Sequence, residues 1–322
     1  MKKHYIVAQN AFSISAPDNM AAMNQLEPRF RPFEVGEEEA AEAVFAVDIR
    51  CGQLTECDAE RIYEPVHSGI GFIAARALRR ADGCLILEFL HIEETEPRLR
   101  MTMNAELTRA DIAMDCRNDV TDSYFLTHAL MIAFMLATCG NGTLLIHSSA
   151  VILGGKAYLF QGKSGTGKST HARMWLDNIP GTEQLNDDNP LLRFDADGTP
   201  RAYGSPWSGK THCYRNVSAP IGAFVRIVRA PENQLRRLAP LQAYASLTTS
   251  VFYMPFLSER LRDVRHRTIE RLVASVGCCE MHCRPDADAA FTCLRGLMLE
   301  GATPSLPTPQ PHQPHHPTTQ KQ

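Results

Sequence analysis

Gly162, Lys163, Ser164, Gly165, Thr166, Gly167, Lys168, Ser169 and Thr170 stand in a row and fit the pattern G-x-x-x-x-G-K-[ST]. Glycines let such a loop curl until successive backbone N–H groups point inward at phosphate oxygens. A helix starting at the loop adds about half a positive charge at the same place. In that arrangement Lys168 reaches the β- and γ-phosphates of a nucleotide, and the Ser169 hydroxyl takes a place on Mg²⁺. The flanks suit it. Ala157-Tyr158-Leu159-Phe160 reads as a short buried strand, and Ser169 to Leu176 as a helix that Pro180 closes. A glycine-rich turn with a chance Lys-Ser would carry neither flank, so the loop is read as a nucleotide phosphate site.

A second group with chemistry follows about twenty residues on, where Gln184-Leu185-Asn186-Asp187-Asp188-Asn189 reads as a strand ending in paired carboxylates. Beside a metal-bound triphosphate, one acid can order the metal shell while the other accepts a proton. Neighbouring side chains at a strand end diverge, so a division of labour is expected, with Asp188 assigned to Mg²⁺ and Asp187 to an acceptor hydroxyl, or the reverse, since the sequence does not fix which points where. Asp-Asp-Asn-Pro is also good turn chemistry; its place after the loop favours the reactive reading.

Other stretches imitate chemistry. Gly204 to Thr211 repeats the G-x-x-x-x-G-K-[ST] pattern, but His212 to Pro220 is a poor helix and Pro206 removes a backbone donor. It reads as a glycine-hinged loop near the site, with Trp207 and Lys210 either touching substrate or anchoring a surface turn. Asp195-Ala196-Asp197-Gly198 fits D-x-x-G, yet no N-K-x-D follows to read guanine, so it is taken as a hairpin turn. Cys278 to Cys283 alternates as a core strand does, and Cys51 with Cys57 lacks the second pair a zinc site needs. His312, His315 and His316 could bind metal only adventitiously.

The elements that must position these residues are those of an α/β protein. Of 322 residues, 44% are hydrophobic and 21% charged, and the net charge is −3, so no basic excess exists for a nucleic-acid partner. Residues 1–120 form a β-rich region with strands at Tyr5 to Ala8, Val44 to Ile49, Ile70 to Ile73, Leu85 to Leu90 and Leu99 to Met103, and a hairpin turn at Ala81-Asp82-Gly83. Residues 121–300 hold the loop. They open with a buried helix from Asp122 to Cys139, then a hairpin about Gly154-Gly155 feeding the loop. A strand from Ile221 to Arg229 follows, with helices over Leu241 to Tyr253, Ser258 to Val276 and Pro285 to Leu299. The arginines of Ser258 to Val276 are read as a solvated face. Residues 301–322, rich in proline, glutamine and histidine, are expected to be disordered. The ten cysteines read as reduced thiols of a cytoplasmic protein, and the most apolar run, Ala129 to Cys139, is too short for a membrane span.

His147-Ser148-Ser149-Ala150-Val151, the loop Gly162 to Thr170, Asp187-Asp188 and Gly204 to Lys210 together resemble the HPr kinase/phosphorylase-like group of P-loop proteins over roughly residues 140–300. That group shares its nucleotide-binding core with ATP-dependent phosphoenolpyruvate carboxykinases. The resemblance implies a P-loop kinase core of the carboxykinase-like type beside the β-rich N-terminal region. It implies ATP and Mg²⁺ as cofactors, Lys168 and the loop amides on phosphate, Ser169 on the metal, and Asp187 and Asp188 at the reacting centre. His147 matches a histidine near that centre, either catalytic or a buried structural one. No segment like the HPr-kinase signature follows the acidic pair, and a carboxykinase would be far longer. The expected activity is transfer of the γ-phosphoryl to a hydroxyl acceptor on a protein, peptide or small molecule. The alternatives are a nucleotide-binding regulator without transfer and a carboxykinase-like enzyme. A homo-oligomer is compatible with all three.

Overall fold

A computed structural model describes residues 1–54, 58–64, 73–117, 120–209 and 211–299. The expected disordered tail, most of the strand at Ile70 to Ile73, Cys57 and Lys210 lie outside the described residues. The protein is mixed α/β, built on two large mixed sheets.

The first sheet has nine strands: β1 (Lys2–Val7), β2 (Asn10–Ser15), β3 (Glu34–Val35), β4 (Phe45–Cys51), β5 (Glu60–Tyr63), β6 (Ile73–Arg79), β7 (Leu85–His91), β8 (Leu99–Met103) and β9 (Arg109–Met114). They lie in the order β3-β1-β2-β4-β9-β8-β7-β6-β5, with β2–β4 and β4–β9 parallel. Alternation sets the faces. Leu99, Met101 and Met103 are fully buried, while Arg100 between them meets Glu88 across the strand at 2.5 Å. Arg76–Glu64 and Arg109–Asp48, at 3.1 and 2.7 Å, continue such pairs on this sheet.

On the apolar face lie α1 (Ala21–Phe30) and α2 (Val120–Cys139). Phe134 of α2 meets Phe12 and Phe45 edge-on, and those two rings stack at 4.9 Å. The stretch Thr121–Cys139 is long and apolar enough to cross a membrane, a longer run than the sequence reading took. It is 78% buried inside the protein and serves as its core helix.

The second sheet runs β10-β14-β15-β16-β12-β11-β13. Its strands are β10 (Leu144–Leu145), β11 (Ser148–Leu153), β12 (Lys156–Gln161), β13 (Glu183–Asp188), β14 (Leu191–Phe194), β15 (Pro200–Tyr203) and β16 (Ser218–Arg229), while β17 (Gln234–Arg237) and β18 (Gly277–Cys283) extend it beside β16. On one face α4 (Pro240–Ser250) and α5 (Glu259–Ser275) bury Leu247, Ile269 and Leu272 against Leu159 and Phe224. On the other, α3 (Lys168–Asn178) and α6 (Ala287–Leu299) bury Trp175 and Leu294 against Phe160, Val225 and Met281. The hairpin about Gly154-Gly155, the turn at Asp195 to Gly198 and the core strand at Cys278 to Cys283 form as the sequence predicts.

Two expectations are corrected. Cys51 and Cys116 form a disulfide, so the thiols are not all free; β4 and β9 are parallel neighbours, and Cys51 lies opposite Met114, two residues before Cys116. Arg265 does not belong to a solvated face. It is 3% exposed and donates to the carbonyls of Thr248, Val251 and Phe252, closing the end of α4.

Candidate active site

Strand direction brings the predicted residues together. β11 runs antiparallel to both β12 and β13, with Ser148 paired to Gln161 on one side and to Asp188 on the other. The start of β11, where His147 stands, therefore lies beside the carboxyl ends of β12 and β13, where the loop and the acids follow. Crevices beyond strand carboxyl ends are where α/β sheets take their ligands.

The loop needs its glycines. Gly162, Gly165 and Gly167 sit at φ 146°, 78° and 107°, conformations that other residues adopt only with strain. The Thr166 hydroxyl and N–H both donate to the Lys163 carbonyl, at 2.8 and 3.2 Å, which closes the curl. Gly167 caps α3, and the His171 N–H donates to its carbonyl at 2.8 Å. The leading N–H groups of a helix have no carbonyl of their own, which leaves those of Lys168, Ser169 and Thr170 for an anion. Lys163, Ser164, Ser169 and Thr170 are exposed at this mouth.

Lys168 is 8% exposed, and its ammonium lies 2.9 Å from His147 Nε2 while donating to the Gly162 and Lys163 carbonyls at 3.2 and 3.4 Å. Burial pushes its pKa down, and the charges of Asp188 and Asp187 push it back up. An ammonium can only donate, so Nε2 accepts and the proton sits on Nδ1. That Nδ1 stands 2.9 Å from Asp188 Oδ1. Lys168, His147 and Asp188 thus form one linked row. The His147 side chain is 43% exposed, and its backbone N–H is held by the Ser250 carbonyl. His171, by contrast, is a buried histidine. Burial pushes its imidazole down to about 4, and it accepts a hydrogen bond from the Trp175 indole.

The acids differ from each other. Asp188 holds φ 126°, a strained value for a side-chain-bearing residue, and its second oxygen accepts from Asn189 at 2.8 Å. Asp187 is 4% exposed; its carbonyl accepts from the Gly209 N–H and the Ser208 hydroxyl, and its Oδ1 has no hydrogen-bond partner. An orphaned buried carboxylate oxygen calls for a ligand or a proton. No group of three or more His, Cys, Asp or Glu forms a metal cage among the described residues. Mg²⁺ does not ask for one: it keeps several waters and takes one or two protein oxygens plus phosphate. An exposed Ser169 hydroxyl and an aspartate pair fit that demand.

The second glycine-lysine loop is not a cradle. Trp207 is 2% exposed and packs 5.2 Å from Phe134 and 6.0 Å from Phe30, in the core rather than against a ligand. The sequence gives no role to Arg229, the last residue of β16, whose guanidinium donates to the Gly165 and Thr166 carbonyls of the glycine loop. Its place at the end of the expected strand Ile221 to Arg229 was the available signal, while the parallel pairing of that strand with β12, which brings it to the loop, was not.

Fold and site define a mixed α/β protein with a glycine-lysine loop at the carboxyl end of an inner strand, β12, which lies between β16 and β11. No known sequence family matches the chain, and no curated protein matches it. Among solved structures it is similar to the Hpr(Ser) kinase/phosphatase from Coxiella burnetii, at 9% identity and TM-score 0.28, over 49% of this chain and 93% of that one. At that distance the functional reading rests on the site's own geometry.

Proposed function

We propose that this chain is a Mg²⁺-ATP-dependent phosphotransferase that passes the γ-phosphoryl group to a hydroxyl acceptor. The linked row Lys168–His147–Asp188 at the mouth of the glycine loop carries the reading. It joins the phosphate-binding lysine to the acidic strand end through one imidazole. Lys168 and the loop amides bind and orient phosphate, and His147 holds Lys168 and Asp188 in register. Ser169 and Asp188 would hold Mg²⁺, which supplies charge neutralisation on the phosphates. Asp187, with its unengaged oxygen, takes the acceptor's proton as the new O–P bond forms and the bond to ADP breaks.

The test uses ATP labelled at the γ-position, offered with serine peptides and small polyols. Label moving to a hydroxyl acceptor, and lost in Asp187→Asn, supports the proposal. Tight binding with all label left in ATP would instead mark a nucleotide-binding regulator, and oxaloacetate-dependent CO₂ release a carboxykinase.

A further inference from the structure

The core helix α2 turns one polar stripe outward beside the reacting acids. From Asp122 to Leu136 every residue is buried except Tyr124, Thr127 and His128, which are half-exposed and, at helical spacing, share one face. That face lies toward the site. Asp188 bridges to Ser208, and the adjoining Trp207 packs on Phe134 of α2 and Phe30 of α1. Thr127 stands about two turns before Phe134 on the same side of the helix. The charge of Asp188 is felt by both Tyr124 and His128.

Two groups here are suited to a ligand. His128 Nδ1 stands 2.8 Å from the Tyr124 carbonyl, which only accepts, so the proton sits on Nδ1 and Nε2 offers a lone pair. Burial pushes the pKa of this ring down and the Arg29 charge adds to that, while the bond to Tyr124 and the charge of Asp188 oppose it. Arg29, beside Phe30 on α1, is half-buried, with its guanidinium 5.8 Å from the Tyr214 ring. Of its five N–H donors, one makes a long bond of 3.4 Å to the Thr127 hydroxyl. The rest of that planar fork suits a carboxylate or phosphate.

We infer that this stripe and Arg29 form the acceptor subsite of the phosphotransferase reading, on which the inference rests, and that the acceptor is a small anion bearing hydroxyls, a sugar acid or a polyol phosphate. Arg29 holds the anionic head, and His128 Nε2 accepts from one hydroxyl. A second hydroxyl reaches Asp187. Its oxygen bonds the γ-phosphorus as the bond to ADP breaks, and its proton passes to Asp187.

Calorimetric titration of the full chain with glycerate, glycerol 3-phosphate and neutral glycerol tests this, with and without Mg²⁺ and a non-hydrolysable ATP analogue. One of the two anions should bind, with glycerol at least about tenfold weaker. Arg29→Gln should weaken that anion about tenfold or more, the usual worth of a bond to a charged group. His128→Phe should erase the preference for that anion over its deoxy counterpart, propionate or propyl phosphate, which a purely structural role would leave in place. Both variants should hold the ATP analogue as the parent does. The inference fails if neither anion binds better than glycerol, if Arg29→Gln binds it like the parent, or if the preference survives in His128→Phe. Those bindings without label passing from ATP would support the subsite and overturn the phosphotransferase reading; transfer to a serine peptide with neither anion bound would do the reverse.

Discussion

The two stretches that share the pattern G-x-x-x-x-G-K-[ST] have opposite physical fates. In Gly162 to Ser169 all three glycines have positive φ, and a Cβ at Gly165 or Gly167 would meet nothing closer than 4.0 Å, while at Gly162 one would also lie 3.2 Å from the Ile227 carbonyl oxygen. In the stretch from Gly204 the glycines serve proximity. A Cβ at Gly204 would lie 1.9 Å from the Arg215 carbonyl oxygen, and one at Gly209 would lie 3.0 Å from Asp188 Cβ. Between them Ser205 is fully buried, bonded to the Asn189 and Trp207 carbonyls, and Trp207 sits in the core. One pattern therefore encodes a cradle where a helix follows and a packing brace where none does. The brace matters to the cradle's partner, since Gly209 and Ser208 hold the main chain of Asp187.

Four substitutions press on this contrast. Gly204→Ala should be the most damaging. Its Cβ collides with main chain that cannot swing aside, a loss of more than about 4 kcal/mol, read as failure to give soluble folded protein. Asp187→Asn should leave ATP affinity near parental and lower phosphoryl transfer by about 10²–10⁴, the span of general-base catalysis. Comparable transfer rates in parent and variant would remove Asp187 from the chemistry. Lys168→Ala should cost about 10²–10³ in rate, as the loss of one preorganised charge on the reacting phosphate does, with circular dichroism unchanged. Gly167→Ala should cost only about 1–2 kcal/mol, the strain of a left-handed residue, and denaturant melts will give the figure. Should Gly167→Ala fail to fold while Gly204→Ala behaves normally, the two loops have been assigned the wrong way round.

Much of the second sheet was legible because its signals are local. Gly154-Gly155 announces a hairpin, Pro180 closes α3, and Ser258 caps α5 by accepting from the Leu261 N–H. The first sheet hid more. The turn joining β1 to β2 places Ala8 and Gln9 at φ 47° and 60°, with no glycine to mark it, so β2 was missed. Pro28 inside α1 concealed that helix. The buried role of Arg265 was readable in retrospect, since it falls on the stripe Leu261, Arg265, Ile269 and Leu272 at helical spacing. At the site, the loop and acids were visible, whereas the contact of His147 with both Lys168 and Asp188 depends on strand pairing that spacing alone does not reveal.

The Cys51–Cys116 bond ties positions 65 apart in sequence. A cross-link of that span restricts the unfolded chain far more than it alters the folded one, by about 4 kcal/mol on the loop-entropy argument. Reductant would leave the ladder between β4 and β9 in place yet hand the denatured ensemble back its lost freedom. The cost would fall on the sheet that backs α2, so handling with strong thiols would soften the region distant from the glycine loop first.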